Sequence, residues 1–241
     1  MRLKLTLSSN EAILDLNYNY HLASAIFHKL KKVDKSLSLE LHKPFGPKFF
    51  TFSKIFTDCY EIEGEKIFIK GPAYFFISSP KNEIIAKLAE GFLINPEVKI
   101  NGSEFFVSEI QVVKEQEIGS KERFVTMSPI YASTVEVSGA VSRCVDLYPS
   151  DERFYEVIRK NLVKKYRILY GKDPESDELE IEPLNVKPKR IRIKNTWHKC
   201  VEMVFIAKGS RDLLEVGYKA GFGSKNSMGF GMVKVDGRKK I

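Results

Sequence analysis

His42 and Lys48 lie six residues apart across Pro44-Phe45-Gly46-Pro47. Two prolines and a glycine force a turn there, so both side chains can face one space. An imidazole titrates near pH 6.5 and can take or give a proton at neutral pH. With a cation across the turn, His42 is the best placed of the four histidines for acid/base chemistry. No competing chemistry is visible. H-E-x-x-H, an Asp-rich calcium loop and a G-x-S-x-G elbow are all missing, so neither a metal nor a cofactor is expected.

A second feature is Gly221-Phe222-Gly223-Ser224-Lys225-Asn226-Ser227-Met228-Gly229-Phe230-Gly231. Glycines permit backbone angles that let successive N–H groups point into one concavity suited to an anion, with Lys225, Asn226 and Ser227 as further donors. The loop follows a short helix and precedes a strand, the reverse of a dinucleotide fingerprint, and G-K-[ST] is absent. A surface turn remains the alternative.

The third feature is Lys187-Pro188-Lys189-Arg190-Ile191-Arg192-Ile193-Lys194. Period two puts Ile191 and Ile193 on one face and Arg190, Arg192 and Lys194 on the other. Such a stripe is either an edge strand protected by charge or a phosphate-binding face. Arg159, Lys160, Lys164, Lys165 and Arg167 offer a second basic surface on a helix. Lys and Arg total 39 against 31 Asp and Glu, for a net charge of +8, which favours a polyanionic partner.

The chain of 241 residues suits two domains. Polar composition between Lys114 and Ser120 places the boundary there, giving 1–117 with the candidate catalytic residues and 118–241 with the basic strand and glycine loop. Cys59, Cys144 and Cys200 are far apart and match no disulfide or zinc pattern, so a reducing cytoplasm is expected. No signal-peptide block and no apolar run of membrane-spanning length is present, so no membrane association is expected.

Met1–Leu7 alternates as a strand, and Asn19–Val33 carries Leu22, Ile26, Leu30 and Val33 at helical spacing. His21 and His28 fall on a solvated face of that helix. Strands over the 49–52 aromatic run and 66–79, a helix over 82–93 capped by Asn82, and strands near 97–100 and 105–113 complete a β-α-β-β-α-β order. The second half repeats that pattern: a strand over 124–131, a hairpin region to Leu147, a helix over 151–169 capped by Ser150, strands over 179–186, 190–194 and 201–207, a helix over 212–216 and a strand over 232–235. The fold class is α+β, two tandem ferredoxin-like (RRM-like) domains, each an antiparallel sheet with two helices.

The glycine loop, the K-P-K-R-I-R-I-K strand and H-x-x-x-G-P-K-x-F-T-F near the start together resemble the CRISPR-associated repeat-cleaving endoribonucleases of the RAMP superfamily. The resemblance implies cleavage of precursor CRISPR RNA within repeats, without metal, by 2′-hydroxyl attack that leaves a 2′,3′-cyclic phosphate and a 5′-hydroxyl. It implies that His42 is catalytic and that Lys48 stabilises charge on the phosphoryl oxygens. The basic strand and glycine loop are then the expected RNA contacts, through Lys187, Lys189, Arg190, Arg192, Lys194, Gly221, Gly223, Lys225, Asn226 and Ser227. A tyrosine is expected on the first helix, where this chain has Phe27, which cannot transfer a proton; His28 beside it is the candidate substitute. CRISPR repeat RNA is the implied partner, with other Cas proteins or a second copy of the chain as further ones. The alternatives are a repeat-RNA binder of weak or no activity and a structural RAMP subunit of an interference complex.

Overall fold

The computed structural model describes residues 1–237 apart from Asn10, Phe45 and Ala140, so Phe45 of the turn and the last four residues lie outside the described residues. The first half runs β1 (Arg2–Ser8), β2 (Ala12–Asp15), α1 (Asn19–Val33), α2 (Lys35–His42), β3 (Thr51–Phe52), β4 (Phe56–Thr57), β5 (Tyr60–Glu63), β6 (Lys66–Ile69), β7 (Ala73–Ser78), α3 (Asn82–Ile94), β8 (Glu97–Ile100) and β9 (Ser103–Val113). The second runs β10 (Lys121–Thr126), β11 (Ser133–Ser138), β12 (Val141–Asp146), α4 (Arg153–Tyr170), β13 (Leu179–Ile193), β14 (Thr196–Gly209), α5 (Arg211–Ala220), a 3₁₀ turn (Asn226–Met228) and β15 (Val233–Val235).

The two main sheets share one plan. The first is ordered β3-β7-β1-β9 with β8 beyond, the second β13-β14-β10-β15, and every pairing is antiparallel. In each, the strand that opens the half lies between the third and the last of the β-α-β-β-α-β order, which is the ferredoxin-like arrangement. Small sheets β2-β6-β5 and β11-β12 are appended.

Alternation along β1 buries Leu3, Leu5 and Leu7 against Leu22, Ile26 and Leu30 of α1 and Ile85, Leu88 and Phe92 of α3. Phe124, Met203 and Phe205 do the same against Phe154, Ile158 and Leu162 of α4 and Leu213 and Leu214 of α5. Between the halves, the buried Arg2 guanidinium donates to the carbonyls of Tyr218 and Val233, each at 3.0 Å. Lys54 N donates to Met127 O at 3.0 Å.

Several expectations need correction. The strands expected over 179–186 and 190–194 are one continuous β13, with a bulge between Pro183 and Asn185. Its prolines are tolerated because β13 is the sheet edge and need donate hydrogen bonds on one side only. Ser150 does not cap α4; Asp151 Oδ1 accepts from Arg153 N at 3.0 Å instead. Asn82 is the first residue of α3 and makes no capping bond.

Candidate nucleic-acid interface

His42 owes its position to α2, a helix absent from the sequence expectations. Asp34 closes α1 and its Oδ1 accepts from Leu37 N at 2.8 Å, starting α2 at once. Lys43 precedes Pro44 and takes extended angles, so the helix stops at His42. The exposed imidazole has Nδ1 2.7 Å from Ser38 O. A carbonyl can only accept, so Nδ1 carries the proton and Nε2 of the neutral ring is left with a lone pair on the far side. Phe27 of α1 packs against the ring with centroids 4.3 Å apart, and Phe50 backs Phe27 at 5.3 Å.

Lys48 closes the turn by donating to Lys43 O. Burial pushes its ammonium below the ordinary lysine range. Pro44 and Lys48 form one wall of a 430 Å³ cleft between the halves, which Asn161 and Lys164 of α4 and Ser224 and Lys225 of the glycine loop complete.

The glycine loop is built differently from an anion nest. Lys165 of α4 is buried beneath it, and its Nζ donates to Gly221 O at 2.6 Å, Gly223 O at 2.9 Å and Asn226 Oδ1 at 2.7 Å. Burial pushes this ammonium down to about 7, yet three oxygens take one proton each, so the loop is built on the charged form. Asn226 Nδ2 donates to Phe222 O at 3.2 Å and Phe230 O at 3.0 Å. Gly223 has φ +70°, and a Cβ there would strike the Tyr131 carbonyl. Gly221 and Gly223 therefore serve the loop's own geometry, Asn226 is spent within it, and Ser227 is buried. Lys225 projects from the loop, exposed, at φ +56°. The loop also docks the halves: Thr51 Oγ1 donates to Phe230 O at 3.0 Å and Asn19 Nδ2 to Gly229 O at 3.3 Å.

The basic strand divides by parity. Arg190 and Arg192 share the exposed face, with guanidinium carbons 5.1 and 5.6 Å from the Trp197 ring. Lys187 and Lys189 belong to the face of Ile191 and Ile193, and Lys189 Nζ lies 4.0 Å from Glu202. Lys194 sits in the turn after β13, its ammonium 5.1 Å from the Tyr20 ring. On α4 the expected basic surface is largely neutralised. Arg159 and Lys160 pair with Glu156, Arg167 pairs with Asp173, and Lys165 is buried, which leaves Lys164 facing the cleft.

Both halves of the chain are similar to known proteins. Residues 13–111 match the family CRISPR-associated protein Cas6, N-terminal, and residues 113–235 the family CRISPR associated protein Cas6, C-terminal. The CRISPR-associated endoribonuclease Cas6 of Pyrococcus furiosus is 40% identical over 230 residues, covering 92% of this chain and 84% of that one. The chain belongs to the Cas6 family. CRISPR-associated endoribonuclease Cas6 1 of Methanocaldococcus jannaschii is 39% identical over 237 residues, covering 97% of this chain and 92% of the relative. A solved RAMP protein described as binding different RNA substrates superposes with a TM-score of 0.90 at 36% identity, covering 98% and 99% of the two chains.

In this Cas6 chain Phe27 touches His42, whereas His28 turns elsewhere. It lines a separate 340 Å³ recess with Ser24, Lys32, Asn95 and Lys99, consistent with the roughly 100° between successive helix positions. Neither His42 nor Lys48 reaches that recess, so His28 is not brought to the cleft. Among the described residues no group of three or more His, Cys, Asp or Glu converges as metal ligands would. Lys165 is the site residue whose structural role the sequence reading missed. Its signal was available: it falls beside Ile158, Leu162 and Tyr166 on the apolar stripe of α4, where a lysine must find partners.

Proposed function

We propose that this chain is a crRNA-processing endoribonuclease that binds CRISPR repeat RNA across the cleft between its halves and cleaves it without metal. The half up to residue 117 supplies His42 and Lys48; the half from 118 supplies Lys164, Lys225 and the Arg190–Arg192 face. The observation that carries this reading is the His42 imidazole. Its Nδ1 is spent on Ser38 O, the residue is exposed, and the cationic cleft begins two residues away at Pro44. Nε2 can accept the proton of a ribose 2′-hydroxyl as the 2′-oxygen attacks phosphorus and the bond to the 5′-oxygen breaks, the departing oxygen taking a proton from water. The products are a 2′,3′-cyclic phosphate and a 5′-hydroxyl. Lys48 places positive charge where the phosphoryl oxygens gather negative charge. The sequence family and the RNA-binding RAMP neighbour support the substrate class.

Phe27 favours one other reading, in which the chain holds repeat RNA without cutting it, alone, as a homodimer or beside other Cas proteins. A second proton-transfer group against His42 is what Phe27 cannot provide. Incubating end-labelled repeat RNA with the protein in EDTA separates the two: a single cut ending in a cyclic phosphate supports the nuclease, and saturable binding without a cut supports the holder. A reducing cytoplasm is the compartment we assign, where the free thiols of Cys59, Cys144 and Cys200 are stable. Among the described residues no helix is long and apolar enough to cross a membrane.

A further inference from the structure

Trp197 has no part in the cleavage chemistry, yet it stands 42% exposed beside the cationic track. Arg192 is its direct cross-strand partner in the β13–β14 ladder and Arg190 lies two residues along the same face. Both guanidinium groups pack on the indole and hold it in one orientation. The indole is also a wall between two 620 Å³ recesses. One of these contains Lys225, which lines the cleft as well, so a strand leaving the cleft past Lys225 meets Trp197 next.

The hairpin carrying Trp197 is tied to the first half. Arg192 N donates to Asn17 Oδ1 at 2.8 Å, and Lys194 caps the Tyr20 ring at the start of α1. Phe27, under His42, is seven residues further along that helix, about 10 Å at 1.5 Å per residue. One rigid helix thus spans from the indole's hairpin to the imidazole.

We propose that Trp197 is a stacking post for one unpaired base of the RNA, and that it fixes the register of the strand relative to His42. This role rests on the RNA-binding reading above. Exposed aromatic rings beside cations bind single strands by stacking on any base face, and one such contact changes affinity about 5- to 150-fold.

Trp197 is the chain's one tryptophan, so its emission reports this side chain alone. In a titration with single-stranded repeat RNA, with anisotropy of labelled RNA as the independent measure of binding, emission is expected to fall as the RNA saturates. Trp197→Ala should weaken binding about 5- to 150-fold without altering the salt slope, and Trp197→Phe should keep most of the affinity. A 2-aminopurine moved along the RNA should be quenched at one position with the native and Phe proteins and at none with the Ala protein. Saturable binding with unchanged emission, or an Ala variant binding within twofold of the native protein, would overturn the role. Absence of any anisotropy change would overturn the RNA-binding reading instead, and this role with it.

Discussion

Two contacts decide what the imidazole of His42 can do. The Ser38 carbonyl fixes which nitrogen carries the proton, and the Phe27 ring supports one face of the imidazole. Replacing His42 by Ala should therefore lower single-turnover cleavage about 10²- to 10⁴-fold, the usual worth of a general acid or base, while the dissociation constant for repeat RNA stays within about threefold. Phe27→Tyr puts a hydroxyl against the same ring and should raise the cleavage rate; an unchanged rate would remove Phe27 from the account. His198 gives a separate check on pH. Burial, with Lys225 nearby, holds its imidazole below the ordinary range despite Asp146. The native form is then neutral, and as pH falls below about 6.5 the unfolded chain takes up a proton that the native state refuses. Stability to urea should fall from pH 6.5 downward, and less so in His198→Phe; equal losses in both proteins would contradict the assignment.

At the scale of elements, the glycine loop is a clamp whose strength lies in Lys165 and Asn226. Lys165→Met strands three oxygen acceptors and should cost about 2–4 kcal/mol, seen as a Tm lower by about 4–16 °C. A change under about 1 °C would mean that the loop holds itself. This loop also shows where the sequence stops being legible. Glycines and an asparagine make an anion nest if N–H groups face the ligand, and an ammonium cage if carbonyls face inward. The composition is the same for both, and a lysine distant in sequence decides between them. By contrast α1 and α3 were plain from their apolar spacing, since Leu22, Ile26 and Leu30, or Ile85, Leu88 and Phe92, have only a core to face. Helix α2 was hidden because Lys35–His42 is short and buries only Ser38 and Leu41. The gap left in β13 at 187–189 holds Pro188, which an edge strand accommodates.

Over the whole molecule, two halves built on one sheet plan dock across Arg2, Asn19, Thr51 and the glycine loop, and Lys48, Lys164 and Lys225 line the cleft between them. His42 and Lys48 stood out in the sequence because two prolines set a turn between them; of the two, Lys48 lines the cleft. The meeting of Lys48 with Lys164 and Lys225 was not legible there, because it depends on how the halves dock. If Lys48, Lys164, Lys225, Arg190 and Arg192 each meet one phosphate of a single strand, log affinity should fall against log salt with a slope of about −3 to −4. Lys164→Gln should flatten that slope by about 0.7, and an unaltered slope would remove Lys164 from the RNA path. In the proposed reaction one oriented imidazole lets the bound RNA be severed by the RNA's own 2′-hydroxyl. Its most direct measurement is single-turnover cleavage of labelled repeat RNA in EDTA, with end-group analysis, by the native protein and His42→Ala side by side. The native protein should give one product ending in a 2′,3′-cyclic phosphate, and the variant should form it about 10²- to 10⁴-fold more slowly. Equal cleavage by both, or a product ending in a 3′-hydroxyl, would contradict that reaction.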